Sequence, residues 1–292
     1  MAGCSGGLVS AMGVRKFSSL PFLPASVDLR RRQWLASASG LGLAVAGGGL
    51  LSGLSGCASQ PVPPAGVAGR TEVPAFSRVD AGEMPEGWVP YIVRRDRELT
   101  QYGTSVVAGR TVLHAVADGA RSGLHCPVNI DARTTPWLRW QWRVDAVNPE
   151  ATVGDDDAED TPARLVVAFD GDLSKLSLRD QLFYDQVQLF TGNVLPYATL
   201  TYVWDGRLPV GQVLPYARTS RIQYQVVESG VARQGQWLSY ERDVAQDFQA
   251  IFGEAPGRII DVGVLTDSDD LKDRIEAWYG DISFHGGPLV AR

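Results

Sequence analysis

Three cysteines and three histidines are few for a chain of 292 residues, and their scarcity excludes much. No Cys-x-x-Cys, His-Glu-x-x-His or phosphate-binding glycine loop occurs, so thiol redox, zinc-hydrolase and nucleotide chemistry lack their signatures. His114, His125 and His285 form no metal pattern by spacing. Beyond Cys57 there is no Gly-x-Ser-x-Gly elbow, which removes the usual mark of a serine hydrolase. Net positive charge is also missing. Five of the 27 basic and one of the 33 acidic residues precede Cys57, so 22 and 32 follow it, a net of −10. That balance argues against nucleic acid and anionic lipid surfaces as partners.

What is present begins with a leader. Arg30, Arg31 and Arg32 precede an uncharged run from Leu35 to Ser55, which lacks Ile and is rich in Gly and Ala. Such a run enters a bilayer but makes a weak permanent span, although a plain membrane anchor is the alternative. Arg31, Arg32, Trp34 and Leu35 resemble a twin-arginine export signal. Leu54-Ser55-Gly56-Cys57 resembles the bacterial lipobox, which implies cleavage before Cys57 and lipidation of its thiol. Ala58 in place of Asp favours the outer membrane by the same resemblance. The expected organisation is a removed signal over 1–56, a lipid anchor and mobile Pro/Gly tether over 57–73, and one domain over 74–292 on the periplasmic side. Cys4 would leave with the leader and Cys57 would carry lipid, leaving Cys126 without a disulfide partner.

From Val73 onward, short runs rich in Val, Ile, Tyr and Trp recur between Gly, Asp and Pro. They predict strands at 89–94, 105–107, 111–116, 123–128, 138–144, 164–169, 199–204, 221–228, 237–242, 258–266 and 277–285. Two helices are predicted, 178–190 and 243–252. Asp243 caps the second and Gly253 ends it. The fold class is therefore all-β, an antiparallel β-sandwich of jelly-roll type with one or two short helices.

Side-chain alternation assigns faces. Leu138, Trp140, Trp142 and Val144 point one way, and Arg139, Gln141 and Arg143 the other. The same parity places Leu165, Val167 and Phe169 opposite Arg164. It places Trp278, Ile282 and Phe284 opposite Tyr279, Asp281 and Ser283. If these strands share a sheet, Arg139, Gln141, Arg143, Arg164, Tyr279 and Asp281 form one polar face. A sandwich has a solvated outer face in any case; this composition also suits a saccharide.

Two acidic stretches stand out. The long segment between Val144 and Arg164 carries Asp155, Asp156, Asp157, Glu159 and Asp160, and Asp267-Ser268-Asp269-Asp270 follows a predicted strand. Asp155, Asp157, Asp267 and Asp269 are candidate Ca²⁺ ligands, though a solvated loop tip and a simple turn are the favoured readings of the two stretches. Asp267 and Asp269 begin like a calcium loop, but Leu271, Lys272 and Trp278 break the pattern. Asp157 or Asp267 as acid or base would serve a glycan hydrolase, provided a second carboxyl shares the cleft.

Trp140-Gln141-Trp142-Arg143-Val144, Ala163-Arg164-Leu165-Val166-Val167, Tyr202-Val203-Trp204, Arg242-Asp243-Val244 with Asp247-Phe248, Thr266-Asp267-Ser268-Asp269 and Tyr279-Gly280-Asp281-Ile282 form an ordered series. Together they resemble the bacterial domain of unknown function 3047. The resemblance implies an envelope-associated β-rich domain and supplies no reaction. Three functions stay open: a non-catalytic module for a saccharide or other envelope ligand, a glycan hydrolase, and a structural envelope lipoprotein.

Overall fold

The computed structural model describes residues 69–92 and 96–289. Arg31, Arg32 and Cys57 lie outside them. Thirteen strands form two sheets: β1 (Val89–Tyr91), β2 (Gln101–Val107), β3 (Arg110–Asp118), β4 (Arg121–Ile130), β5 (Trp137–Val144), β6 (Ala163–Phe169), β7 (Ala198–Asp205), β8 (Val213–Pro215), β9 (Ile222–Ser229), β10 (Leu238–Asp243), β11 (Ile259–Asp267), β12 (Arg274–Tyr279) and β13 (Ser283–His285). One sheet has seven strands in the order β1-β4-β11-β6-β7-β9-β8. The other has β10-β5-β12-β3-β2, with β13 also paired to β5. The chain changes sheet at β1–β2, β3–β4, β4–β5, β5–β6, β9–β10, β10–β11 and β11–β12, which is jelly-roll wiring. One pairing departs from the antiparallel expectation. β7 and β9 run parallel, because the short β8 lies outside β9 on the sheet edge.

The core lies between the sheets. Trp140 of β5 stacks on Tyr202 of β7 across the layer, ring centroids 5.2 Å apart. Helix α2 (Val244–Phe252) closes one end. Asp243 caps it by accepting from the backbone N–H groups of Ala245 and Gln246, and Gly253 ends it at φ 76°. Its Phe248 is buried against Phe169, centroids 4.7 Å apart. Helix α1 (Leu178–Thr191) sits between β6 and β7. Its Asp180 accepts from Thr219 Oγ1 at 2.6 Å and from Ser220, which ties the helix to the segment before β9.

The sheets differ in their outer sides. Along β5, exposure alternates strictly, with Leu138, Trp140, Trp142 and Val144 buried. Along β6, β7 and nearly all of β11, every residue is buried. The centre of the seven-stranded sheet is therefore covered on both sides, and β6, β7 and β11 read as continuous runs rather than alternating ones.

The final strand corrects the predicted parity. It breaks at Gly280–Ile282 into β12 and β13. Trp278 is half-buried on the outside, whereas Tyr279 is 1% exposed and points inward. The reason is polar satisfaction. Inside, the Tyr279 hydroxyl donates to the Leu265 carbonyl at 2.9 Å and pairs with Thr266 Oγ1 at 2.7 Å.

Candidate functional site

Two polar assemblies compete for attention. The first covers the open outer side of the six-stranded sheet. Register places His114 of β3 and Arg143 of β5 on either side of Trp278 of β12. The His114 ring stacks on Trp278 at 4.7 Å and 4°, and the Arg143 guanidinium lies 4.8 Å from the indole centroid. A 4.7 Å ring separation matches the strand spacing, so the two rings stand edge-on to the sheet. His114 Nε2 also lies 2.9 Å from Glu276 Oε2. The Arg274 hydrogen bond, with help from His114, holds the Glu276 carboxyl below its usual range.

A second row runs beside it. Arg110 of β3 donates to Gln141 Oε1 of β5 at 2.6 Å, and Gln141 Nε2 donates to Ser239 Oγ of β10 at 2.9 Å. Arg110 spans the width of β12 because Gly280 has no side chain there. A Cβ at Gly280 would lie 3.2 Å from Gln141 Cβ and 3.5 Å from the Arg110 guanidinium. Arg110 also lies 5.9 Å from the Trp237 ring centroid. In a third row, Arg139 donates to Glu241 Oε2 at 2.6 Å and to the Gly287 carbonyl.

The second assembly is buried at one end of the seven-stranded sheet. Arg121 opens β4, Arg164 lies near the start of β6, and Asp267 closes β11, so antiparallel register brings the three together. Arg164 is 4% exposed. It donates to Asp267 Oδ2 at 2.9 Å and Glu159 Oε1 at 3.1 Å, and Tyr224 donates to the same Glu159 oxygen at 3.0 Å. Arg121 Nη1 lies 3.4 Å from Asp269 Oδ1 and its Nη2 lies 3.4 Å from Asp267 Oδ2. Arg97 Nε lies 3.0 Å from Asp269 Oδ2. Asp160 accepts backbone N–H groups of Asp270 and Leu271.

Five carboxylates, those of Glu159, Asp160, Asp267, Asp269 and Asp270, thus meet three guanidiniums. Burial pushes Asp267 up to about 7, against the pull of Arg164 and Arg121. Burial and the neighbouring Asp269 lift Asp270 to about 6. Excess negative charge with water excluded explains both directions.

The predicted site residues divide accordingly. Arg139, Gln141 and Arg143 lie together on the open side. Arg164 does not, because it belongs to the other sheet and its charge is neutralised inside. Tyr279 does not, because it faces the core. Asp281 lies at the margin, where it accepts from the Ser77 N–H at 3.0 Å and the Ser77 hydroxyl. Asp267 and Asp269 come within reach of each other and of Asp160, their oxygens within 4.8 Å. Asp155 instead pairs with Arg207 at 3.1 Å in an exposed segment, and Asp157 is exposed. The guanidiniums of Arg97, Arg121 and Arg164 provide the positive charge around this carboxylate trio. Asp267 is fully buried, which leaves it no route to a substrate.

Sequence reasoning missed His114, Arg110 and Ser239 on the open side, and Arg121 and Arg97 in the buried cluster. One available sign was charge at the ends of non-alternating strands, since a charge on a strand covered from both sides must find a partner.

The family model described as "Protein of unknown function (DUF3047)" matches residues 86–283. The chain belongs to this family. No curated protein matches it. Among solved structures, a carbohydrate-binding module specific for non-crystalline cellulose, CBM28, is 12% identical, covering 75% of this chain and 96% of that one at a TM-score of 0.37. A family 29 carbohydrate-binding module is 8% identical, covering 74% and 86% at 0.32. An arabinose-bound α-L-arabinofuranosidase is 10% identical at 0.36. The match covers 74% of this DUF3047 chain and about a quarter (26%) of the enzyme. Superpositions this loose carry no argument about function.

Proposed function

We propose that this DUF3047 protein is a lipid-anchored component of the bacterial envelope whose open sheet side binds a saccharide without cleaving it. The observation that carries the binding half is the Arg110–Gln141–Ser239 row beside Trp237. A guanidinium, an amide and a hydroxyl converge across four strands on a surface that a glycine keeps low. Sugars are recognised by such hydrogen-bonding groups together with an aromatic ring face. Trp237 supplies that ring, since Trp278 is enclosed by His114 and Arg143. The anchoring half rests on the leader residues and Leu54–Cys57.

A panel of neutral and acidic oligosaccharides titrated calorimetrically tests the binding half. One class is expected to bind the wild-type protein, and Gln141→Ala with Trp237→Ala should abolish that binding while the protein stays folded. Binding unaffected by the pair, or none across the panel, defeats the assignment. Separately, Cys57→Ala should move the protein out of the membrane fraction.

A further inference from the structure

Among the described residues, fourteen large apolar side chains are exposed, and six of them fall between Leu173 and Val194. Leu178, Leu182, Leu189 and Phe190 on α1 are 73%, 55%, 78% and 71% exposed. At 100° per residue, Leu178, Leu182 and Leu189 lie within about 40° of one another, one stripe along the helix with the exposed Asp185 at its edge. The opposite side of α1 is already buried through Phe183, Tyr184 and Val187. A helix apolar on both sides calls for a second cover.

The location of α1 identifies the cover. Ile130, Phe169, Ala198, Ile222 and Ile259 mark one end of the seven-stranded sheet by register. The chain enters the domain at that end, where the Asn129 N–H donates to the Arg70 carbonyl at 2.7 Å. Arg258 bonds Asn129 and, through its N–H, Asp170. Gly171 packs under Tyr197, whose carbonyl accepts from the Tyr184 hydroxyl of α1 at 3.3 Å. The entry point and α1 therefore share one end, opposite the buried ion cluster. Eleven residues lie between Cys57 and Gly69; fully extended, the segment from 57 to 69 reaches about 40 Å. A lipid on Cys57 would keep this end within about 40 Å of the bilayer surface.

We infer that the exposed leucine stripe of α1 lies in the lipid–water interface next to the anchor, as a second and protein-borne contact with the membrane. The inference rests on the lipid-anchored placement proposed above. Apolar insertion drives the contact. Lys175, Arg179 and Arg218 nearby are nearly balanced by Asp172 and Asp185, so a zwitterionic surface suffices.

The test uses the full chain purified from membranes and reconstituted in phosphatidylcholine vesicles. An environment-sensitive dye is placed at Leu189→Cys and, as a control, at Val106→Cys on β2. Expected is blue-shifted emission and quenching by nitroxide lipids at 189 but not at 106. Leu178→Glu with Leu182→Glu should reduce residual vesicle partitioning of the Cys57→Ala chain at least tenfold, roughly one buried leucine's worth or more. If the chain floats with vesicles but the dye at 189 stays in water, the interfacial contact is wrong and the anchor stands. If Cys57→Ala leaves flotation of the α1 double variant intact, the anchor reading fails instead. A blue shift at 189 without vesicles overturns the inference as well. A concentration-dependent shift would mean a second copy covers the stripe, and a concentration-independent one would mean the chain's own leader does.

Discussion

The outer sides of the two sheets are built from similar residue types and do opposite things. On the six-stranded sheet, Arg139, Gln141 and Arg143 alternate with a buried apolar set and stay at the surface. On the seven-stranded sheet, Arg121 and Arg164 are roofed over and meet carboxylates with no water between them. An exposed arginine ion pair contributes little to stability, whereas a buried one is costly to break. The first side is thus free to serve recognition, and the second is committed to holding the β4, β6 and β11 ends together.

That contrast can be broken most forcefully at Arg164. Arg164→Met leaves Glu159 and Asp267 buried with only the longer Arg121 contacts, and the domain should lose about 3–5 kcal/mol in a denaturant melt. An effect under about 1 kcal/mol would mean that the cluster is solvated after all.

pH sharpens the same point with a somewhat smaller effect. The folded Asp267 and Asp270 carboxyls titrate near 7 and 6, above their unfolded value of 3.8. The folded state therefore holds protons that the unfolded chain releases. Their contribution is fully present below about pH 4 and is lost as pH rises through 6 and 7. The melting temperature should fall between pH 5 and pH 8, and Asp267→Asn should flatten that slope. A rising melting temperature over this window would show that the guanidiniums keep both carboxylates ionised.

On the open side, Gly280→Val should separate Arg110 from Gln141, because its Cβ would lie 3.2 Å from Gln141 Cβ. Saccharide affinity would drop about tenfold in calorimetry while the protein stays folded. Smallest of all, Arg143→Ala should change stability by less than about 1 kcal/mol, because its partners Asp145 and Trp278 are at the surface. A large loss there would make the open side structural.

Several elements were legible from the chain. The strict alternation of Leu138–Val144 announced a half-buried strand and named its outward residues correctly. Asp243 and Gly253 bounded α2 because capping is local chemistry. The position of Arg164 was not legible. Parity shows that it opposes Leu165, but not that a second cover lies on that side. Tyr279 and Trp278 exchanged places for a related reason. Hydropathy ranks Trp as the better core residue, yet only the Tyr hydroxyl had Leu265 and Thr266 within reach. Arg97, Arg121, Glu159 and Asp267 are scattered over 171 positions of the chain, and no spacing rule joins them.

By itself, the sequence determined what depends on neighbours along the chain: strand periodicity, caps, a leader-like N-terminus and the all-β class. Tertiary structure alone decided which polar residues face water and which face each other. That choice depends on sheet order and register, and these are set by contacts between segments far apart in sequence.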